Sequence, residues 1–426
     1  MSREDIAIYR FIKLYILLLV FEGIFRKWIQ IVPVDVFYFL RDLIGFVFCF
    51  KLFLFSRIKM YEGSRYFFYL MAIVIASCAC FVAVTIQNVP IGVALFGIRN
   101  YLSLLIIAFI LSYLRDFRFL FRTIYRAYIY CFFIQLPIIV LQVLSGPEAF
   151  INKTSWDLGA SLFTSGEVVR PPGTFTNALG LGYFLLTCLG LVLSNNLKGG
   201  KSTTETNLNY IAFICIVGIS AIAGSRTLIF GLFVTLFIYF VFRITKNPLS
   251  FSAKVSVSPL LRLFTLLGTL FALYKLINVI NAFFYRLQYQ TEGSQGTLNR
   301  IIDSIFGYQI ESLTWFGSGI GTRHQSAIAL GWSQPWVENE ILRWSAELGL
   351  VGFLLIILRQ FWICKLAVQA FTGKFEGQYL VPIIFVSLGP ILLSGLSTQP
   401  SVQGASAILI GIIYHASKFT QNRLIH

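Results

Sequence analysis

The chain has 426 residues, of which 57% are hydrophobic and only 12% are charged, and its mean hydropathy is +0.78. This composition excludes an ordinary water-soluble globular protein, because such proteins carry about 25% charged residues. The net charge of +16 gives no reason to expect nucleic-acid binding, since basic residues in membrane proteins report topology. The seven cysteines lie in or beside apolar runs, which favours small buried side chains over disulfides or metal ligands.

About twelve apolar runs approach the roughly 20 residues that a helix needs to cross a bilayer. They cover 8–25, 35–56, 66–87, 91–114, 120–145, 176–195, 209–224, 226–243, 258–283, 347–369, 378–397 and 401–417. The sequence therefore predicts an all-α polytopic integral membrane protein with about twelve transmembrane helices. Helices one to nine occupy 1–283, a large periplasmic loop with amphipathic helices occupies 284–346, and helices ten to twelve with a cytoplasmic tail occupy 347–426.

Basic residues indicate the orientation of these spans. With the N-terminus inside, the basic loops at 56–65, 115–122 and 195–202 and the C-terminal tail all fall on the inner side. This distribution follows the positive-inside rule and places both termini in the cytoplasm. The first outer turn carries Arg26, Lys27 and Trp28, which are typical of an aromatic and basic belt at the membrane interface.

Charged residues also occur inside two predicted spans. Arg41 and Asp42 are adjacent in the second span, and Arg99 lies at a comparable depth in the fourth. An arginine inside a membrane helix costs about 2.5–3.5 kcal/mol on insertion scales, so it needs a partner or a wet cavity. Two alternatives stay open: Asp42 and Arg99 form a structural pair, or Arg99 lines an anion pocket open to the outside.

Three arginines in different segments fall on the predicted outer side. Arg170 precedes Pro171 and Pro172 at the entry to the sixth span, where a helix N-terminus favours an anion. Arg226 lies at the tip of a short hairpin, where it is expensive to desolvate without an anion or acid nearby. Arg300 begins an amphipathic helix in the large loop. Solvated or snorkelling arginines are the simpler alternative for each of them.

The segment 317–352 concentrates polar and aromatic residues between two spans. Four of the seven tryptophans lie between about 286 and 347, and His324 and Glu338 are nearby polar candidates. Trp336, Asn339 and Arg343 recur at helical spacing, and so do Glu340 and Trp344. Trp332 precedes this stretch. Indole rings pack against sugar rings, so we expect this segment to bind a glycan through Trp336, Trp332, Asn339, Glu340 and Arg343.

Outer-side arginines beside aromatic residues indicate a site for a lipid phosphate or diphosphate that carries sugars. Guanidinium groups match phosphate oxygens with their fork of donors. Such a site could transfer a glycan from a lipid diphosphate, with arginines stabilising the leaving group and a carboxylate or imidazole accepting the proton of the attacking hydroxyl.

Several short motifs together resemble the O-antigen polymerase and O-antigen ligase superfamily of bacterial envelopes. They are EGIFRKW after the first span, the arginine in the fourth span, RPPGTFTN, GSRTLIFGL, and LNR followed by GSGIGT and ENEILRWSAELGLVG. The resemblance implies a metal-independent inverting glycosyltransferase, without a cofactor, in the bacterial inner membrane with its site facing the periplasm. The implied substrates are undecaprenyl-diphosphate-linked glycans, as donor and acceptor, among membrane lipid, and a chain-length regulator is a possible protein partner.

The resemblance also implies roles for individual residues. Arg170, Arg226, Arg300 and Arg99 would bind diphosphate. Glu338 would be the base, with His324 as a second candidate. Ligases of the superfamily carry a histidine followed by asparagine where this chain has Glu338 and Asn339, which favours a repeat-unit polymerase. A ligase that transfers glycan to lipid A core or another acceptor, and a transporter of lipid-linked glycan, are the alternatives.

Overall fold

A computed structural model provides the structure of the chain. It describes residues 3–29, 34–55, 63–112, 114, 116–153, 164–165, 168–197, 203–223, 226–246, 315–324, 327–328, 330–334, 337, 340–371, 378–384, 386 and 400–423. The predicted ninth span and the amphipathic helix that begins near Arg300 lie outside these residues.

The described part of the chain is helical. Its α-helices are α1 (Arg3–Ile24), α2 (Val34–Phe55), α3 (Gly63–Thr85), α4 (Ile91–Ser112), α5 (Phe117–Leu144), α6 (Ala178–Leu197), α7 (Thr203–Ile222), α8 (Arg226–Lys246), α9 (Glu340–Phe371) and α10 (Pro400–Arg423). Short 3-10 turns occur at Phe150–Asn152 and Gln378–Leu380, and a π-helical turn, Phe25–Ile29, continues α1. Two-residue strands β1 (Thr164–Ser165) and β2 (Val168–Val169) pair antiparallel.

Helix length and composition confirm the coarser prediction, a membrane-associated protein built from apolar helices. Within the described residues, three helices are long and apolar enough to cross a bilayer by length and composition: Arg118–Leu144, Ala178–Leu197 and Glu340–Phe361, the last of which is interrupted at Gly349. Most of the predicted spans agree with the observed helices to within a few residues at each end. The total of twelve spans and the large periplasmic loop stay predictions.

Helix α6 is the centre of the bundle. Its residues from Gly180 to Asn195 are all buried, and none of them carries a charge. A helix that is apolar on every side must be surrounded by other helices, and α6 packs against α5, α7, α8 and α10. Helix α4 in turn packs against α2, α3 and α10. The end of the bundle where α1 and α5 finish and α4 and α6 begin is called the Gly173 end below.

Helix α9 is not a straight rod. Gly349 has a non-helical backbone, with φ 63° and ψ −143°. Both carboxylate oxygens of Glu340 accept from Arg359, at 2.9 and 2.8 Å, although these residues are 19 positions apart. A straight helix would separate them by about 28 Å. The chain therefore folds back at Gly349, and residues 340–348 lie beside the first turns of residues 350–371.

This fold-back changes the interpretation of the predicted tenth span. Gly352 lies so close to Trp344 that a Cβ atom on it would be 2.1 Å from the Trp344 carbonyl oxygen. Only glycine permits this approach. Residues 350–371 alone have the roughly 20 residues needed to cross the bilayer, while residues 340–348 form a separate half-helix beside them.

Candidate functional site

A buried charged cluster joins α1, α2 and α4 at the Gly173 end. Asp42 is bonded by Arg99 at 2.5 Å and by Arg41 at 3.2 Å. Arg41 also donates to Glu22 at 3.3 Å. Glu22, Arg41, Asp42 and Arg99 are all buried. The structural pair between Asp42 and Arg99, one of the two alternatives for these residues, is therefore present, and Glu22 extends it to a third helix.

Aromatic rings and a glycine enclose the charged cluster. The Arg41 guanidinium lies 5.5 Å from the Tyr15 ring, and that of Arg99 lies 5.4 Å from the Phe96 ring. A Cβ atom on Gly404 of α10 would lie 3.4 Å from the Arg41 guanidinium carbon. These contacts exclude water and place α10 against the cluster, so each ionic contact is stronger than it would be in solvent.

Two further cations are buried next to the cluster. The exposed fractions of Arg26 and Lys27 are 5% and 0%. Arg26 lies within electrostatic reach of Glu22. The interpretation of this turn as an interfacial belt was therefore wrong: the π-helical turn directs both side chains inward. Among the described residues of this region, buried basic side chains outnumber the two buried carboxylates, Glu22 and Asp42.

Lys27 connects the π-helical turn to the segment that follows Arg170. Its Nζ atom donates to the Gly173 carbonyl at 2.7 Å. The Gln142 side chain both donates to that carbonyl, at 3.0 Å, and accepts from the Gly173 amide, at 2.7 Å. Thr174 bonds to Gln135 and to the Val20 carbonyl. The Arg-Pro-Pro-Gly-Thr segment is thus fixed on α1 and α5, with Arg170 half-buried at its start.

The buried Lys27 predicts a pH dependence of stability. Burial lowers the pKa of Lys27 from 10.5 to about 7. From about pH 7 to 10 the unfolded chain holds this proton and the folded chain does not, so stability rises with pH, by up to about 1.4 kcal/mol per pH unit. Unfolding of the purified protein at several pH values should therefore give a flatter profile for Lys27→Met. Identical slopes of stability against pH for the wild-type protein and Lys27→Met would show that Lys27 does not cause the pH dependence.

The loop at residues 317–324 docks on the broken helix α9. The break at Gly349 removes the helical partners of the carbonyls just before it. The Ser318 amide donates to the Ala346 carbonyl at 2.7 Å, and the Gly319 amide donates to the Glu347 carbonyl at 3.0 Å. The loop therefore caps the half-helix 340–348.

His324, at the end of this loop, shares an aromatic neighbour with the charged cluster. Its ring is buried and meets the Phe96 ring edge-on, at 4.8 Å between centroids. Because the guanidinium of Arg99 also contacts Phe96, this ring links His324 to the cluster. The structure thus brings two predicted site residues, Arg99 and His324, to the same aromatic side chain.

The other predicted site residues are distributed as follows. Glu340 is buried and paired with Arg359. Arg343 is buried, and its two terminal nitrogens have no hydrogen-bond partner among the described residues. Trp332 packs beside the small apolar cluster at α3 and α4. Arg226 begins α8, and its side chain lies outside the described residues. Arg300, Trp336, Glu338 and Asn339 lie outside them altogether, so convergence of Arg170, Arg226 and Arg300 stays a prediction.

Four residues of the site were not selected from the sequence. Glu22 and Lys27 sit at a predicted span end, where interfacial charges are common and carry no signal of burial. Glu347 and Tyr101 meet at 2.8 Å across 246 positions of sequence. The sequence signal that could have identified Glu347 is its position at the start of an apolar run, because a carboxylate there requires a partner.

Comparison with protein-family models and with curated proteins finds no match for this chain.

Proposed function

We propose that the chain is a glycosyltransferase that polymerises oligosaccharide repeat units linked to undecaprenyl diphosphate, at the periplasmic face of a bacterial inner membrane. The observation that supports the proposal is the concentration of buried basic side chains at the Gly173 end, where Arg26, Lys27, Arg41 and Arg99 are buried alongside Glu22 and Asp42 among the described residues. By the charge distribution of the loops, this end faces outward.

A concentration of buried basic side chains favours an anionic substrate. Ionisable residues within a membrane protein are expensive to bury, so they mark substrate pathways by default. A lipid diphosphate offers oxygens that match guanidinium forks, and its lipid tail keeps it at the depth of this cluster. Arg170 is half-buried next to the cation-rich turn and its Nε atom has no hydrogen-bond partner among the described residues, which suits a phosphate contact.

In the proposed reaction, an acceptor sugar hydroxyl attacks the anomeric carbon of the donor glycan. The new carbon–oxygen bond forms as the bond to the diphosphate oxygen breaks, and the diphosphate leaves with the negative charge. Arginines stabilise that charge. The hydroxyl proton passes to a base, for which Glu338 and His324 are the candidates.

The proposal predicts that Arg170→Gln lowers polymer formation by about a hundredfold, since one preorganised donor to developing negative charge contributes about 2.7–4 kcal/mol in enzymes. The measurement is the length distribution of surface polysaccharide in a deletion strain that expresses the variant at the wild-type level. The matched control is Arg126→Gln, because Arg126 is exposed, pairs with Glu205 and lies far from the Gly173 end. Full-length polymer from Arg170→Gln would contradict the proposal.

The deletion strain itself separates the alternatives. Loss of a polymerase leaves products capped with a single repeat unit, whereas loss of a ligase accumulates intact polymer on its carrier lipid. The acidic Glu338 at the position of the ligase histidine favours the polymerase. Elongation of purified lipid-linked units by the protein alone would exclude a transporter.

A further inference from the structure

The side chain of Glu347 has an unusual number of partners for a residue next to a helix break. Its Oε2 atom accepts from the Gly321 amide at 2.9 Å and from the Tyr101 hydroxyl at 2.8 Å. Its Oε1 atom accepts from the Arg323 amide at 3.0 Å. One buried carboxylate therefore joins the half-helix 340–348, the loop 317–324 and helix α4.

Close packing leaves this loop little freedom once the carboxylate is in place. Gly321 has φ +85°, and a Cβ atom there would lie 2.3 Å from the Val93 carbonyl oxygen. At the start of the loop, Gln87 donates to the Gly317 carbonyl at 2.5 Å. The loop is thus held at its start by Gln87 and at its end by Glu347.

The end held by Glu347 is the one that carries His324. The Arg323 amide, bonded to Glu347, is adjacent in sequence to His324, whose ring contacts Phe96. Phe96 also contacts Arg99 of the charged cluster. The position of the imidazole relative to that cluster therefore depends on the Glu347 carboxylate.

We propose that Glu347 is a positioning residue: its carboxylate holds the loop 317–324 on α4 and so fixes the His324 ring beside Phe96 at the edge of the charged cluster. The proposal deepens the proposed function, on which its catalytic part rests. Its structural part, the attachment of the loop, is measurable without any substrate.

Glu347→Gln tests the attachment with minimal change of shape. Both carboxylate oxygens of Glu347 accept hydrogen bonds, whereas a glutamine has only one oxygen and an NH2 group. In either orientation of its amide, the NH2 group therefore faces a backbone N–H group and loses that hydrogen bond. Loss of the charged acceptor weakens the attachment of the loop 317–324 by about 1.5–3 kcal/mol. Trypsin cuts the loop only when it is detached, so the cleavage rate follows the population of the detached state. We expect trypsin to cut after Arg323 about tenfold faster in detergent-purified Glu347→Gln, and about threefold faster in Tyr101→Phe, which removes one of the three donors.

The control for lost charge is Glu205→Gln, because Glu205 pairs with Arg126 away from the loop. This control should be cut after Arg323 at the wild-type rate, as identified by the mass of the fragments. In the deletion strain, Glu347→Gln should lower polymer formation by about tenfold, because a misplaced catalytic group costs rate without lost binding. Glu347→Asp, which keeps both oxygens, should restore part of the polymer at equal protein abundance.

The cleavage measurement and the polymer measurement can each contradict the proposal independently. Unchanged cleavage after Arg323 in both Glu347→Gln and Tyr101→Phe overturns the attachment and the proposal with it. Faster cleavage together with full-length polymer, or no recovery by Glu347→Asp, overturns the positioning role. If deletion of the whole protein leaves the polysaccharide unchanged, the proposed function fails and the positioning role fails with it, while the cleavage rates still decide the attachment.

Discussion

Replacing Asp42 with Asn should cost about 3–5 kcal/mol of folding free energy, because it leaves the buried guanidiniums of Arg41 and Arg99 with much less compensating charge. Asp42 is the acid shared by both arginines, at 3.2 and 2.5 Å. Glu22 pairs with Arg41 at 3.3 Å, on the side of that guanidinium away from the Asp42 bond to Nε. The measurement is the unfolding midpoint of the purified protein, together with its abundance in the membrane.

The exposed pair between Arg126 and Glu205 provides the control for Asp42→Asn. Its side chains are 53% and 33% exposed, so Glu205→Gln should change stability by about 0–1 kcal/mol. A double variant, Asp42→Asn with Arg99→Gln, should recover part of the loss, because it also removes one of the two guanidiniums that lose the Asp42 carboxylate. Equal unfolding midpoints for Asp42→Asn and Glu205→Gln would show that the cluster is not a structural requirement.

Hydropathy predicted the described helices well because each apolar run had to satisfy its backbone within a helix. Helices α1, α2 and α4 end within a few residues of their predicted spans. The fold-back of α9 was not predictable in this way. Residues 340–371 read as one amphipathic stretch followed by one apolar run, and a single Gly349 with positive φ separates them.

The charged site was predictable where membrane physics left few choices. An arginine inside a span needs an acid at similar depth, which indicated Asp42 for Arg99. The same reasoning did not find Glu22 or Lys27, since both lie near the end of α1, where water was assumed to reach them. Their burial depends on the docking of residues 170–174 on α1, a tertiary contact that hydropathy does not encode.

Gly97→Ala should detach the loop 317–324 from α4. A Cβ atom on Gly97 would lie 2.6 Å from the Gly321 amide nitrogen and 2.8 Å from the Ile320 carbonyl carbon. These are backbone atoms, so no side-chain rotation relieves the overlap. Overpacking of this kind costs about 1–3 kcal/mol, which corresponds to roughly fivefold to hundredfold faster trypsin cleavage after Arg323.

Gly92→Ala on the same helix separates steric overlap from a change in helix propensity. A Cβ atom on Gly92 would have no neighbour within 4 Å, and alanine favours a helix by up to about 1 kcal/mol. Gly92→Ala should therefore leave cleavage after Arg323 unchanged and the helix slightly more stable.

Because Gly97 contacts loop backbone and Glu347 binds loop amides, Gly97→Ala with Glu347→Gln should accelerate cleavage less than the two single effects multiplied. Fully multiplicative acceleration would mean that the glycine contact and the carboxylate hold the loop independently.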